Sequence, residues 1–227
     1  MMTPLIVHAR RDAQAAALAA LVAADLRDAI ETRGRARFAA PGGSTPAEFL
    51  RALAAAPLDW TRVDILPGDE RWAPPSDARS NEAMIRKAMA AAEGATFLSL
   101  WREGETPEEA APVLAETLAP FLPPDVAVIG MGVDMHCASL FPGALNLPAA
   151  LVESAPLIAA IRAHGAAEPR VTLTLPALAG AGRLYLLIAG EEKRAAVRRA
   201  LDEPVPYFAP VGAVLRAARH AEIHWAP

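Results

Sequence analysis

The chain predicts a doubly wound three-layer α/β/α sandwich with a mainly parallel sheet, and three observations carry that reading. Short apolar runs alternate with helical patterns along most of the 227 residues, the arrangement that builds parallel strands with crossover helices on both faces. The run Val126-Ala127-Val128-Ile129 carries no charge, as a strand covered on both sides does. Glycine-rich and charged stretches follow several such runs, and in open α/β folds the crevice outside the carboxyl ends of the strands is where ligands bind.

Leu5-Ile6-Val7 is the first expected strand. Asp12 can cap the next helix, in which Leu18, Val22, Leu26 and Ile30 form one buried stripe before Gly34 stops it. Arg35 to Ala40 reads as a strand and leads into Pro41-Gly42-Gly43-Ser44-Thr45-Pro46. Paired glycines allow close backbone approach, Ser44 or Thr45 can cap a helix over 47–55, and Pro46 suits its first turn. Such a start favours a phosphate, although an ordinary strand-to-helix turn has the same composition.

Arg62 to Leu66 is the third strand, followed by Pro67-Gly68-Asp69-Glu70-Arg71-Trp72 and a helix from Ser80-Asn81 to about Ala92. Three charges directly after a buried strand suit a ligand crevice or a solvated loop whose charges pair locally; Glu70 fits the second. Thr96 to Trp101 reads as a strand, and Thr106-Pro107-Glu108-Glu109 as a capping box opening a helix to about Ala119. After the central strand come further strands at Leu157–Ile161, Arg170–Leu175 (half-buried by its alternation) and Leu184–Ile188. Pro176 to Ala181 is a short helix or turn, Gly190 begins a helix ending near Leu201, Glu203 to Pro210 is a surface connection, and Ala221 to Ala226 is an edge strand.

The length suits one domain, 1–227, able to bury its own core. Hydrophobic residues make up 53%, yet no apolar run approaches the ~20 residues of a membrane span. No secretory signal is legible, and Cys137 is the only cysteine, so no internal disulfide forms and a cytoplasmic location is expected. A net charge of −4 without a basic run gives no sign of nucleic acid or membrane as partner.

The polar residues at expected strand ends are Ser44 and Thr45, Asp69 and Arg71, Asp134 and His136, and Lys193. Together they can hold an anion and set a base beside a reacting carbon. Each also has a plainer reading: a hydrogen-bonded Asp–His pair, or a snorkelling surface lysine. Gly130-x-Gly132 lacks the third glycine of a dinucleotide fingerprint. Asp134, His136 and Cys137 lack metal-ligand spacing, Ser139 lacks a nucleophile elbow, and Cys137 suits a small semi-buried thiol.

Three motifs carry a resemblance. Pro41-Gly42-Gly43-Ser44-Thr45-Pro46, then Gly68-Asp69-Glu70-Arg71-Trp72-x-Pro74 with Ser80-Asn81, then Gly130-x-Gly132-x-Asp134-x-His136-x-Ala138-Ser139-Leu140-Phe141-Pro142-Gly143 resemble those of the 6-phosphogluconolactonases. Arg170 to Thr174 and Gly190-x-x-Lys193 resemble two further motifs, in the expected order over about residues 38 to 200. The resemblance implies a Rossmann-like fold related to glucosamine-6-phosphate deaminases and ribose-5-phosphate isomerases. It implies hydrolysis of 6-phospho-D-glucono-1,5-lactone in the oxidative pentose phosphate pathway, without metal or cofactor. The expected partner is this small molecule alone, acted on by a monomer or weak homodimer.

Within that implied mechanism His136 is the general base and Asp134 orients it or its loop. Arg71 and the Gly132 amide meet the developing oxyanion. Gly43, Ser44, Thr45, Lys193 and Arg170 take the phosphate, and Asp69 and Asn81 contact sugar hydroxyls. The chain departs from the family in having Met135 where glycine is usual and Cys137 where threonine or serine is usual. A positive φ at Met135 would strain that residue, and methionine there can crowd substrate. The alternatives are a deaminase-like enzyme, from which Ser139-Leu140-Phe141 and Asp69-Glu70-Arg71 differ, and a non-catalytic phosphosugar-binding relative.

Overall fold

Hydrophobic periodicity sets the order of the elements. The computed structural model describes residues 3–43, 45–163 and 166–227. It runs β1 (Leu5–Val7), α1 (Arg11–Arg33), β2 (Ala36–Ala40), α2 (Ala47–Ala54), β3 (Val63–Pro67), β4 (Asp69–Arg71), α3 (Asn81–Ala88), β5 (Thr96–Phe97) and α4 (Pro107–Thr117). There follow β6 (Val126–Ile129), α5 (Leu147–Ala150), β7 (Ile158–Ile161), β8 (Arg170–Leu173), α6 (Leu175–Ala179), β9 (Arg183–Ala189), α7 (Glu191–Asp202), α8 (Pro210–Ala217) and β10 (Ala221–Ala226).

Seven strands make one parallel sheet in the order β1-β10-β9-β6-β2-β3-β5. Their side chains alternate between its faces. Phe38, Val126, Val128, Tyr185 and Leu187 pack with the apolar stripes of α1, α2 and α3. Ala39, Ala127, Ile129, Leu184 and Leu186 pack on the other face with α4, α6, α7 and α8. The chain thus winds on both sides of the sheet, as the alternation predicts. It winds outward in opposite directions from the neighbours β2 and β6, and the crevice at their carboxyl ends is the topological switch point.

Several local expectations are corrected. Asp69–Arg71 is a strand rather than a loop, and it joins β8 and β7 in a separate antiparallel sheet, β4-β8-β7. In β8 the residues Val171, Thr172 and Leu173 are all buried, not alternately so. β10 lies between β1 and β9, so it is an interior strand and β1 is the edge. α8 follows the proline-rich connection and is a helix that periodicity over eight residues had not revealed. Arg10, not Asp12, is the N-cap of α1, while Asp12 accepts from the Ala13 amide at 2.9 Å. Among the described residues no helix is long and apolar enough to cross a membrane.

Candidate active site

The carboxyl ends of β2, β3, β6 and β9 open on one cleft of about 400 Å³. His136, Arg71, Gly43, Thr45, Asp69, Asn81, Gly132, Arg170 and Lys193 all line it. Asp134 reaches the cleft only through His136, and Ser44 lies outside the described residues.

The loop after β6 folds back on itself at once. The Gly132 amide donates to the His136 carbonyl at 3.1 Å, and the Met135 amide to the Gly132 carbonyl at 3.0 Å. The reversal forces Met135 to a φ of 67°, the left-handed conformation that favours glycine. Its side chain packs against the apolar cluster beneath and does not line the cleft, so strain is present where crowding is absent. The turn sets the Asp134 carboxylate 2.5 Å from His136 Nδ1. A carboxylate accepts only, so the contact requires the proton on Nδ1, and in the neutral tautomer the lone pair is then on Nε2. The Phe141 ring, 4.4 Å away centre to centre, supports one face of the imidazole.

Gly132 matters for space. A Cβ there would collide with Asp134 Oδ1 and with the His136 ring. Its amide, being engaged by His136, is not available to an oxyanion, which corrects the expected role. Gly42 shows the same logic at the β2 turn, where a Cβ would run into the Asn81 side chain. The α2 N-cap is Pro46, with no side-chain cap, so Thr45 does not cap the helix and Pro46 stands one position before the first turn expected for it; Thr45 is exposed at the cleft rim.

The cleft walls are cationic. Arg71 and Arg170 are direct cross-strand partners, which brings two like charges together. Burial, then the neighbouring Arg71 charge, pulls the Arg170 pKa down, with Asp69 opposing. Its Nε is buried and without a partner among the described residues. Arg71 donates from one amino group to the Arg79 carbonyl at 2.7 Å. Lys193, in the first turn of α7, is half-buried, and burial followed by the Arg11 charge draws its pKa below the ordinary lysine value.

Asp69 is held in place by two donors. The Ser139 hydroxyl donates to its Oδ2 at 2.5 Å, and the Asn81 amide to its carbonyl at 2.7 Å and Oδ1 at 3.3 Å. Glu70 is not solvated at all: it is fully buried. Its carboxylate accepts from the amides of Arg71, Asn81 and Glu82 and from the Ser80 hydroxyl, at 2.6–2.9 Å. Burial pushes its pKa up and these four donors oppose that. A negative group at the amino end of α3 is also favoured by the helix dipole. Glu70→Gln sets an amide donor against amide donors, and the expected cost is about 1–3 kcal/mol for the group left unpaired. Thermal or denaturant unfolding checks this; an unchanged midpoint would show that the network is dispensable.

Cys137 is fully buried rather than half-buried, and burial together with the Asp69 charge pushes its thiol pKa far up. It is a packing residue. Sequence reasoning missed the holding roles of Ser139, Glu70 and Phe141. For Glu70 a signal existed: if Asp69-Glu70-Arg71 is a strand, alternation sends Glu70 away from the face that Asp69 and Arg71 share. Among the described residues no group of three or more His, Cys, Asp or Glu side chains could hold a metal ion.

The chain as a whole is similar to known proteins. The model of the family described as glucosamine-6-phosphate isomerases/6-phosphogluconolactonase matches residues 9–225. A 6-phosphogluconolactonase of Rhizobium meliloti is 41% identical, covering 95% of either chain, and one of Pseudomonas aeruginosa is 38% identical over 94% of this chain and 91% of its own. The crystal structure of a 6-phosphogluconolactonase from Shewanella baltica superposes with a TM-score of 0.95 at 33% identity, covering 100% of this chain and 98% of that one. A monomeric glucosamine-6-phosphate deaminase shares the fold at a TM-score of 0.82 and 13% identity, covering 99% of this chain and 97% of that one.

Proposed function

This chain belongs to the glucosamine-6-phosphate isomerases/6-phosphogluconolactonase family, and from that premise we infer that its cleft hydrolyses 6-phospho-D-glucono-1,5-lactone to 6-phospho-D-gluconate. The observation that carries the chemistry is the Asp134–His136 pair at a cleft walled by Arg71, Arg170 and Lys193. The sequence after His136 departs from the deaminase pattern, and the relatives at 41% and 38% identity are lactonases.

On this reading His136 Nε2 removes a proton from water as its oxygen bonds to the lactone carbonyl carbon. The tetrahedral oxyanion then collapses, the bond to the ring oxygen breaks, and the imidazolium returns the proton to that oxygen. The product acid ionises, so each turnover releases one proton at neutral pH. Asp134 stabilises the transient imidazolium across its 2.5 Å contact. Arg71 is the oxyanion donor, supported by its place in the cleft wall. Gly43, Ser44, Thr45, Arg170 and Lys193 bind the phosphate, and Asp69 with the Oδ1 of Asn81 meets sugar hydroxyls. The reading carries with it a cytoplasmic protein acting on a small molecule as a monomer or weak homodimer.

The test is proton release from freshly generated 6-phosphogluconolactone above its spontaneous hydrolysis, beside an assay for ammonia from glucosamine 6-phosphate. No acceleration would sink the lactonase reading, and ammonia release would replace it with deamination. Lys193 gives a further expectation, because its protonated form binds phosphate and its pKa lies below the usual 10.5. Affinity for 6-phosphogluconate falls as pH rises through that lowered pKa, earlier than an ordinary lysine would dictate. Lys193→Arg keeps its charge and flattens this alkaline limb in calorimetric titrations; a limb that persists unchanged assigns it to another group.

A further inference from the structure

Beside the cleft lies a second hollow of about 340 Å³, and the two share Thr45 and Leu187 in their walls. Arg11, Arg51 and Glu48 are the charged residues lining the hollow among the described residues. Arg11 is the first residue of α1, at the carboxyl end of edge strand β1, and its Nε donates to the backbone oxygen of Pro227 at 3.0 Å. That contact fixes the guanidinium through its Nε, and the side chain lines the hollow. Lys193 lines the cleft and Arg11 the hollow that shares Thr45 and Leu187 with it, and burial followed by the Arg11 charge lowers the Lys193 pKa. Two cations held near each other, one of them half-buried, raise each other's energy unless an anion lies between them. Glu48 is the carboxylate of the hollow, whereas Asp69, the carboxylate lining the cleft, is already engaged by Ser139 and Asn81. The remaining charged or titratable groups in the cleft are His136, Arg71 and Arg170, while α7 itself adds Glu191, Glu192 and Arg194 beside Lys193.

We propose that Arg11, reaching in from the adjoining hollow, is a second cation for the substrate's phosphate monoester and, with Lys193, sets the enzyme's preference for phosphorylated lactones. This rests on the lactonase reading and extends it to a residue outside the motifs that carry the family resemblance. A phosphate dianion presents three acceptor oxygens, so it can take Lys193 as a point charge and Arg11 as a fork at the same time. Its negative charge would also offset the repulsion between the two cations.

Arg11→Ala is expected to raise KM for 6-phosphogluconolactone about tenfold, the size of one lost charge-assisted hydrogen bond, with kcat nearly unchanged. Unphosphorylated glucono-1,5-lactone should be hydrolysed by Arg11→Ala and the unsubstituted protein alike. Because removing Arg11 lifts a like charge from Lys193, the alkaline limb of 6-phosphogluconate binding moves to higher pH in Arg11→Ala and returns in Arg11→Lys. A merely structural Arg11 would not move that limb. Equal losses on both lactones, or an unmoved limb with unchanged KM, overturn the proposal. Failure of the unsubstituted protein to hydrolyse the phosphorylated lactone would instead overturn the lactonase reading itself.

Discussion

Replacing His136 with alanine is expected to lower kcat for 6-phosphogluconolactone by about 10²–10⁴-fold, the usual contribution of general-base assistance. KM should change little, because the phosphate and hydroxyl contacts are made by other elements. The expectation rests on geometry. Asp134 holds Nδ1 at 2.5 Å and the Phe141 ring lies 4.4 Å away, tilted by 40°, so one nitrogen is committed and one face of the ring is supported. His136 lines a cleft whose remaining charged groups are the cations Arg71, Arg170 and Lys193 and the already engaged carboxylate of Asp69. Cys137 is buried with its thiol pKa pushed up, and Ser139 donates to Asp69, so neither is poised as a nucleophile to take over. Initial rates at saturating lactone, corrected for spontaneous hydrolysis, decide the matter. Unchanged turnover would remove His136 from the chemistry and pass the general-base role to another group.

The residues that made this site legible in the sequence are those whose signals are local. The chargeless run of β6 and the loop behind it are contiguous, so strand, turn and Asp–His pair are read together. The glycines of the β2 turn are contiguous in the same way, and Gly42 indeed faces Asn81 too closely for any Cβ. The rest depends on pairing between distant segments. β4 is three charged residues whose partner, β8, lies about a hundred positions later, and no periodic apolar signal marks a strand so short. β10 reads as an edge because its strand pattern says nothing of its neighbours; only the insertion between β1 and β9 makes it interior. Glu70 is polar in a polar stretch, and its burial follows from α3 beginning on its carboxylate, which takes the Asn81 and Glu82 amides. Arg11 carries no motif, and its relevance arises from where the first crossover brings it.

Met135 and Gly132 were distinguishable in advance only in part. The position between Asp134 and His136 does take a positive φ, as a usual glycine there suggests, and the chain sustains it with a methionine anchored in the apolar cluster. The amide of Val211, in the first turn of α8, donates to the Met135 carbonyl at 3.2 Å and helps to hold that conformation. Strain of this kind costs on the order of 1–3 kcal/mol and survives only where its surroundings hold it, which is the case at this turn.

Gly132→Ala is the second large effect expected, and it isolates position from chemistry. The φ of Gly132 is outside the left-handed region, so alanine fits the backbone, and the fold should persist with a nearly unchanged melting midpoint. The added methyl, however, occupies space held by Asp134 Oδ1 and by the Cε1 and Nδ1 atoms of His136. The imidazole must move by roughly an ångström or lose its carboxylate, and misplacement on that scale costs on the order of 10²-fold in rate. Turnover in Gly132→Ala should therefore fall towards that of His136→Ala although every functional group is still present. The double variant should be scarcely worse than His136→Ala alone, since a displaced base and an absent one remove the same step. Losses that instead multiply would mean that Gly132 serves the reaction by another route, such as direct contact with the lactone. Full activity in Gly132→Ala would show that the observed pairing of Asp134 with His136 is not the arrangement in which the reaction proceeds.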